Sequence, residues 1–163
     1  KKLKENEREQ CFNHLLNLQR KSLVEFYIGE TSVKEIDKIN ILQATFLAMK
    51  RAIKCFSFKN QRNYLVIIDG KNKPNLKNFD SKAIIKGDQK SISIAAASII
   101  AKIYRDRLMK KLSKVFPQYK WEKNKGYGTP EHIEALKSIG ICKHHRKTFK
   151  PIINLIHSNS KYC

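Results

Sequence analysis

An apolar run at residues 64–68, Tyr-Leu-Val-Ile-Ile, has no polar position on either face and ends at Asp69-Gly70. Such a run is typical of a central strand that is covered by helices on both sides. Residues 42–56 precede it with apolar side chains at helical spacing, and residues 91–109 follow it with a second helical pattern. We therefore expect an α/β architecture, in which a crevice lies beyond the carboxyl ends of the strands.

Weaker patterns predict the other elements. Residues 4–20 form an amphipathic helical pattern, residues 32–36 a short helical turn, and residues 83–85 a short strand. Val24, Phe26 and Ile28 alternate with more polar neighbours, which predicts a half-buried strand. No repeat or linker interrupts the chain, so residues 1–163 are interpreted as one domain.

The helix at residues 91–109 combines small, apolar and cationic side chains. Ser91 and Ser93 are both plausible N-caps, and two apolar rows predict burial of its first half on nearly all sides. Its second half is basic. Asp106 stands four residues from both Lys102 and Lys110, which favours a structural ion pair.

Asp69 and Asp88 are the candidate catalytic acids, because each follows a predicted strand. Asp88 also precedes the start of the helix, and helix starts attract phosphate. A carboxylate would repel a phosphate unless a cation lay between them, so the pattern suggests a divalent metal. The alternatives stay open: Asp88 can be a turn or capping residue, and Asp69-Gly70 can be a hairpin turn.

The net charge is the strongest global signal. Lys and Arg number 34 against 14 Asp and Glu, giving +20. A polyanion, most commonly nucleic acid, is the expected partner, although a Lys-rich genome or an anionic membrane surface can also raise basic content. The sequence has no membrane-spanning run or secretory pattern, which favours the cytoplasm. The scattered cysteines are typical of reduced thiols.

Two later segments are candidates for substrate contact. Gly126 and Gly128 flank Tyr127, so the backbone there can approach a ligand while the ring stacks on a base or sugar. The alternative is a tyrosine that fills a turn. Residues 142–147, Cys-Lys-His-His-Arg-Lys, are interpreted as a phosphate-facing cationic patch rather than a zinc site.

Two acids at strand ends, a phosphate-attracting helix start and a basic surface suit metal-assisted phosphodiester hydrolysis. Several segments then resemble, in order, the motifs of bacterial ribonuclease HII; they are residues 40–45, 68–70, 86–88, 93–99, 101–106, 125–129 and 145–149. The resemblance implies a ribonuclease H-like mixed sheet flanked by helices. It also implies endonucleolytic cleavage of RNA–DNA hybrids and of ribonucleotides in duplex DNA, with Mg²⁺ or Mn²⁺ and 5′-phosphomonoester products.

The resemblance also implies residue roles. Asp69 and Asp88 match metal-binding catalytic acids, and Tyr127 matches a residue that senses the 2′-hydroxyl. The positions that match substrate-binding residues are Lys1, Lys2, Lys90, Ser91, Gly126 and Arg146.

One family segment has no counterpart, the early strand ending in Asp-Glu-Ala-Gly-Arg-Gly, which supplies two further carboxylates. We therefore expect an N-terminally incomplete domain with its first strands missing, weak metal binding and little turnover; the full-length protein is expected to be a monomer. Two alternatives remain. One is a non-catalytic module that binds hybrids, and the other is a general basic RNA-binding protein with equal affinity for single strands and ribonucleotide-free duplexes.

Overall fold

The computed structural model describes residues 3–58 and 63–159. The helices are α1 (Glu5–Arg20), α2 (Val33–Lys54), α3 (Ile92–Val115), α4 (Trp121–Asn124), α5 (Pro130–Ile139) and α6 (Lys150–Asn159). The strands are β1 (Leu65–Asp69) and β2 (Asp80–Ile84), and short 3₁₀ helices cover Gly87–Gln89 and Pro117–Tyr119. Two compact units are present, unit 1 (residues 1–30 and 45–103) and unit 2 (residues 31–44 and 104–163). The single domain stays a prediction.

Unit 1 contains the sheet. β1 and β2 pair in parallel, with Leu65 opposite Asp80 and Asp69 opposite Ile84, so both strands end at the same edge. The apolar sequence of β1 explains the buried Ile68, but Leu65 is 60% exposed. The prediction that β1 is buried on both faces is therefore wrong: Ile68 is buried on one face, whereas the other face has a half-buried Ile67 between the exposed Leu65 and Asp69.

A second cluster in unit 1 joins α1 to the first half of α3. Phe12, Ile100 and Ile103 are buried together, and Phe26 packs on the same cluster. The prediction that the first half of α3 is buried on nearly all sides is wrong. Ile92 is 88% exposed, and one face of the helix, at Ser93, Ala97 and Ala101, is exposed as well. Ile94, two positions after Ile92, is buried at 5% exposure, because it points to the opposite side of the helix.

The segment before α2 was also predicted incorrectly. Residues 24–28 are not a strand. The carbonyl of Phe26 accepts a hydrogen bond from the Gln19 side chain at 3.3 Å, so a side chain takes the place of a strand partner there. The Phe26 ring packs on Phe12 with centroids 6.4 Å apart, which explains why the alternating pattern has an apolar side.

The two helical segments predicted at 32–36 and 42–56 are confirmed. Ser32 and Glu35 form a reciprocal capping pair at the start of α2, with Ser32 N–H donating to the Glu35 carboxylate at 2.8 Å. Asn40 then interrupts the helix with φ 65°. Its Oδ1 accepts from Leu42 N–H at 3.0 Å and Gln43 N–H at 3.1 Å, and so caps the second segment.

Unit 2 is built on an aromatic core. The core residues are Met109, Tyr119, Trp121, Leu136 and Ile152. Tyr119 and Trp121 stack with centroids 4.9 Å apart. Thr129 caps α5: its side chain accepts from His132 N–H at 3.3 Å, and Pro130 opens the helix. None of the helices in the described residues combines the length and apolar character needed to cross a bilayer.

Candidate active site

Asp69 and the segment that carries Asp88 lie side by side in unit 1. Asp69 is the last residue of β1, and β2 ends at its parallel partner Ile84. The Gly70 N–H donates to the Ile84 carbonyl at 2.9 Å, which holds the two strand ends together. Lys86 then turns the chain with φ 55°, and Asp88 follows within the short 3₁₀ helix.

One hydrogen bond fixes the Asp69 carboxylate. Gly87 N–H donates to Asp69 Oδ1 at 2.8 Å, so Asp69 is directly bonded to the residue before Asp88. Gly87 is buried, and an added Cβ would lie 2.7 Å from Ile94 Cδ1 and 3.4 Å from Asp69 Oδ1. Position 87 therefore favours glycine, because neighbouring side chains occupy the space that a Cβ atom would need.

The two acids remain accessible. Asp69 is exposed and Asp88 half-buried. Each carboxylate has two acceptor oxygens, and one Asp69 oxygen is used by Gly87. Oxygen ligands of this kind suit Mg²⁺ or Mn²⁺. Within residues 3–58 and 63–159, no group of three or more His, Cys, Asp or Glu side chains is placed to hold a metal.

Lys90 and Ser91 lie between Asp88 and α3. Lys90 is exposed, and Ser91 is the residue immediately before α3. Their backbone N–H groups donate to the Gly87 carbonyl at 3.0 and 2.9 Å, so they close the turn instead of facing a ligand. Helical bonding in α3 begins with Ala95 N–H to Ser91 O, so the N–H groups without a partner inside the helix belong to its first turn and not to Lys90 or Ser91.

The Tyr127 loop lies in unit 2. Lys125 has φ 51° and Gly126 has φ 79°, so two successive residues adopt the left-handed region. Asn124 holds the loop: its Oδ1 accepts from Gly126 N–H at 2.8 Å, and its backbone carbonyl accepts from Tyr127 N–H at 2.8 Å. The Tyr127 side chain is 68% exposed, which contradicts a tyrosine that fills a turn.

Arg146 lies in the same unit as this loop. Its guanidinium lies 4.3 Å from the centre of the Phe149 ring. Burial and the positive charge of Arg105 lower the pKa of Arg146, and Asp37 opposes that change. An ideal Cβ on Gly126 would lie 3.4 Å from Arg105 Nη2, so Arg105 lies beside the Tyr127 loop. Two guanidinium groups in one region favour an anionic ligand.

Asp37 fixes the segment that follows Arg146. Its carboxylate accepts from the backbone N–H groups of Lys147 and Thr148, both at 3.0 Å, and from the Thr148 hydroxyl at 2.7 Å. Burial raises the pKa of Asp37, but the hydrogen bonds from Thr148 and Lys147 outweigh it and leave the pKa below 3.8.

Arg105, Asn124 and Asp37 were missed as site residues in the sequence. Arg105 stands in one of the motif segments, and that position was the available signal. Asn124 and Asp37 act through folded contacts that no local pattern shows. Lys1 and Lys2 lie outside the described residues. A surface cleft of about 640 Å³ lies at the amino ends of the strands, lined by Leu65 and Ser81 among others, and so is separate from the acid pair at their carboxyl ends.

The sequence model of the family named Ribonuclease HII matches residues 1–152. The chain belongs to the ribonuclease HII family. The Ribonuclease HII of Pelagibacter ubique (strain HTCC1062) is 57% identical over 129 residues, covering 79% of this chain and 68% of that protein. The Ribonuclease HII of Wolbachia pipientis subsp. Culex pipiens is 53% identical over 131 residues, covering 80% and 64%. The Fusobacterium nucleatum Ribonuclease HII is 49% identical over 153 residues, covering 91% and 68%.

The chain thus spans about two thirds of the length of these ribonuclease HII relatives. A solved structure, the ribonuclease H2 from Pyrococcus horikoshii OT3, matches with a TM-score of 0.71 at 24% identity, covering 98% of this chain and 80% of that one. The predicted ribonuclease H-like α/β fold is therefore confirmed. The described part of its sheet consists of the parallel pair β1 and β2.

Proposed function

We propose that this chain is part of an endonuclease that cleaves RNA–DNA hybrids, and ribonucleotides embedded in duplex DNA, by divalent-metal-assisted phosphodiester hydrolysis. The observation that carries the proposal is the 2.8 Å hydrogen bond from Gly87 N–H to Asp69 Oδ1. This bond keeps the Asp69 carboxylate beside the segment that carries Asp88. Both lie at the carboxyl-end edge of the sheet, where α/β enzymes place their active sites. Family membership supports the reaction class.

Asp69 and Asp88 are the proposed metal ligands and catalytic residues. Mg²⁺ or Mn²⁺ bound there would supply a Lewis acid and activate water for attack on phosphorus. Asp69 would hold its orientation through Gly87, while Asp88 would offer its oxygens from the adjacent turn. Two carboxylates balance only half the charge of two divalent ions. We therefore propose that these 163 residues alone bind metal weakly and turn over slowly.

Substrate contacts are proposed for each unit by itself. In unit 1, Lys90 and Ser91 precede α3, and their side chains are proposed to bind phosphate near the acids. In unit 2, the exposed Tyr127 and the neighbouring Gly126 are proposed to contact the ribonucleotide, and Arg146 a backbone phosphate. Lys1 and Lys2 are further proposed phosphate contacts outside the described residues. The net charge of +20 favours a polyanionic duplex.

The proposal also places the protein in the cytoplasm, as a monomer when full-length. Nucleic acid is its proposed partner, and no membrane partner is proposed. Analytical ultracentrifugation tests the monomer, and a dimer at micromolar concentration would contradict it.

A cleavage assay tests the reaction on a duplex with one embedded ribonucleotide, in Mg²⁺ and in Mn²⁺. The chain is assayed alone and after fusion to a segment containing Asp-Glu-Ala-Gly-Arg-Gly, which should raise turnover. Asp69→Asn should abolish cleavage, because the amide loses the charge that attracts the cation. The matched control is Asp80→Asn, which alters an exposed carboxylate at the opposite end of the parallel pair.

Cleavage that survives Asp69→Asn, or cuts ribonucleotide-free DNA equally well, would contradict the proposal. The second candidate is a non-catalytic module that binds hybrids, favoured by the finding that no group of three metal-ligating side chains lies in the described ranges. Tight hybrid binding without cleavage in the fused protein would favour this module.

A further inference from the structure

Unit 2 contains a pair of buried histidines that the proposed reaction does not use. His132 is 5% exposed and His145 is 7% exposed. Their Nε2 atoms lie 3.3 Å apart, within hydrogen-bond distance. The pair joins the start of α5 to the segment that carries Arg146, and so lies between two groups of proposed substrate contacts.

The outer partners of the two rings decide their tautomers. His132 Nδ1 lies 2.9 Å from the Tyr127 carbonyl, which can only accept, so Nδ1 carries a proton. His145 Nδ1 accepts a hydrogen bond from the Cys142 backbone N–H at 3.0 Å, so His145 Nδ1 carries no proton. A neutral His145 is therefore protonated at Nε2 and donates to His132 Nε2.

The indole of Trp121 agrees with this arrangement. Its Nε1–H can only donate, and it lies 3.3 Å from His132 Nε2. His132 Nε2 is thus approached by two donors and must itself be unprotonated. The result is one directed series of hydrogen bonds, from Cys142 N–H to His145, from His145 to His132, and from His132 to the Tyr127 carbonyl.

We propose that His132 and His145 are positioning residues, which fix the peptide of Tyr127 so that its ring meets the ribonucleotide in one orientation. The inference rests on the proposed role of Tyr127. The same series passes through His145, which directly precedes Arg146 in the chain, and therefore links the ribonucleotide contact to a phosphate contact.

The surroundings of Tyr127 explain why this contact matters. Its carbonyl also accepts from Thr129 N–H at 2.9 Å, and its own N–H is bonded to Asn124. An ideal Cβ on Gly128 meets nothing within 4 Å, and glycine lets the adjoining peptide rotate. Loss of the His132 donor would leave Thr129 as the carbonyl's remaining partner among these contacts, so the exposed ring would sample several orientations.

His145 must also stay neutral. A proton on His145 Nδ1 would point at the Cys142 N–H, and a proton on His132 Nε2 would point at two donors. Burial, together with the neighbouring His132, lowers the pKa of His145 to about 4. The other titratable groups that face His145 are the Cys142 thiol at 3.3 Å, the Tyr119 ring and His144.

The tautomers can be read directly by ¹⁵N NMR of the imidazoles in the full chain at neutral pH. We expect His132 to carry its proton on Nδ1 and His145 on Nε2. This measurement is independent of nuclease activity. The reverse assignment for either ring, or a protonated imidazole, would overturn the hydrogen-bond series.

Matched variants test the positioning role through binding to a duplex with one ribonucleotide and to the same duplex in all-DNA form. In His132→Leu the ratio of the affinity for the ribonucleotide duplex to the affinity for the all-DNA duplex should fall about tenfold, which corresponds to the loss of one hydrogen bond. The affinity for the all-DNA duplex should stay nearly unchanged. His132→Asn keeps a side-chain N–H near the Nδ1 position and should retain the preference. Equal loss of both affinities, or no rescue by Asn, would overturn the role.

A second pair of variants, at His145, tests the same role if His132→Leu does not fold. His145→Gln keeps a donor near Nε2, whereas His145→Asn keeps the acceptor for Cys142 and loses that donor. The Gln variant should therefore retain more ribonucleotide preference than the Asn variant, and the opposite order would overturn the proposal. A wild-type chain without any preference would instead refute the proposed function, while the tautomers would still stand.

Discussion

Gly87 is packed so closely that a methyl group has no room beside it. In Gly87→Ala the new Cβ would lie 2.7 Å from Ile94 Cδ1 and 3.4 Å from both Asp69 Oδ1 and Ile84 Cβ. Overpacking of this kind costs about 1–3 kcal/mol. The lower entropy of the unfolded alanine chain returns about 0.4–1 kcal/mol. We therefore expect the free energy of unfolding to fall by about 1–2 kcal/mol.

The colliding atom can be removed separately. Ile94 is 5% exposed, and Ile94→Val deletes Cδ1 at a cost of about 0.5–1.5 kcal/mol. In the double variant the new methyl occupies part of the vacated space. The two changes should therefore couple favourably by about 1 kcal/mol, and the double variant should be little less stable than Ile94→Val alone.

Urea unfolding of the four proteins measures this coupling, and calorimetric titration with Mn²⁺ follows the acid pair. Gly87→Ala should weaken Mn²⁺ binding, because relief of the 2.7 Å contact with Ile94 Cδ1 would shift the Gly87 N–H that holds Asp69 Oδ1. Ile94→Val should restore it in the double variant. Additive destabilisation within about 0.3–0.5 kcal/mol would refute the packing argument.

Other perturbations test the remaining contacts. In Gly29→Ala the new methyl would collide with the backbone of α2, so circular dichroism should show no stably folded protein. In Gly128→Ala the methyl meets nothing, so the free energy of unfolding should change by less than about 0.5 kcal/mol. Asp37→Ala should cost about 0.5–1.5 kcal/mol in urea unfolding, because water can replace the lost carboxylate at the exposed Thr148 donors, and an unchanged value would contradict this contact. The folded-state pKa of His145 is depressed from 6.5 to about 4, so its contribution is complete above pH 6.5 and declines as pH falls toward 4. Wild type should lose about 2 kcal/mol over that range after allowance for solvent screening, and His145→Gln should lose less; equal losses would contradict this origin.

Local patterns were sufficient for most of the fold. The apolar run predicted β1, and helical spacing predicted α2 and α3. These signals depend on neighbours along the chain. The prediction of a strand at residues 24–28 was wrong. Alternating apolar and polar residues also occur in an irregular segment that buries one side, and here the Gln19 side chain hydrogen-bonds the Phe26 carbonyl in place of a neighbouring strand.

The candidate site was predictable where topology decides it. Two acids that follow parallel strands must lie near one sheet edge, and the Asp69 contact with Gly87 agrees with that argument. The contact of Asp37 with Thr148 was not predictable, since it joins residues 111 positions apart. The contact between His132 and His145 also depends on tertiary packing, so no short sequence motif predicts it.

The Asp37 contact also orders events during synthesis. Unit 2 uses residues 31–44 together with residues from 104 onward, so its early segment leaves the ribosome long before its partners exist. Translation proceeds at about 5–20 residues per second, which leaves an interval of several seconds between the two. Nascent chains stalled before Lys147 should therefore expose residues 31–44 to proteases, and chains released beyond Thr148 should protect them.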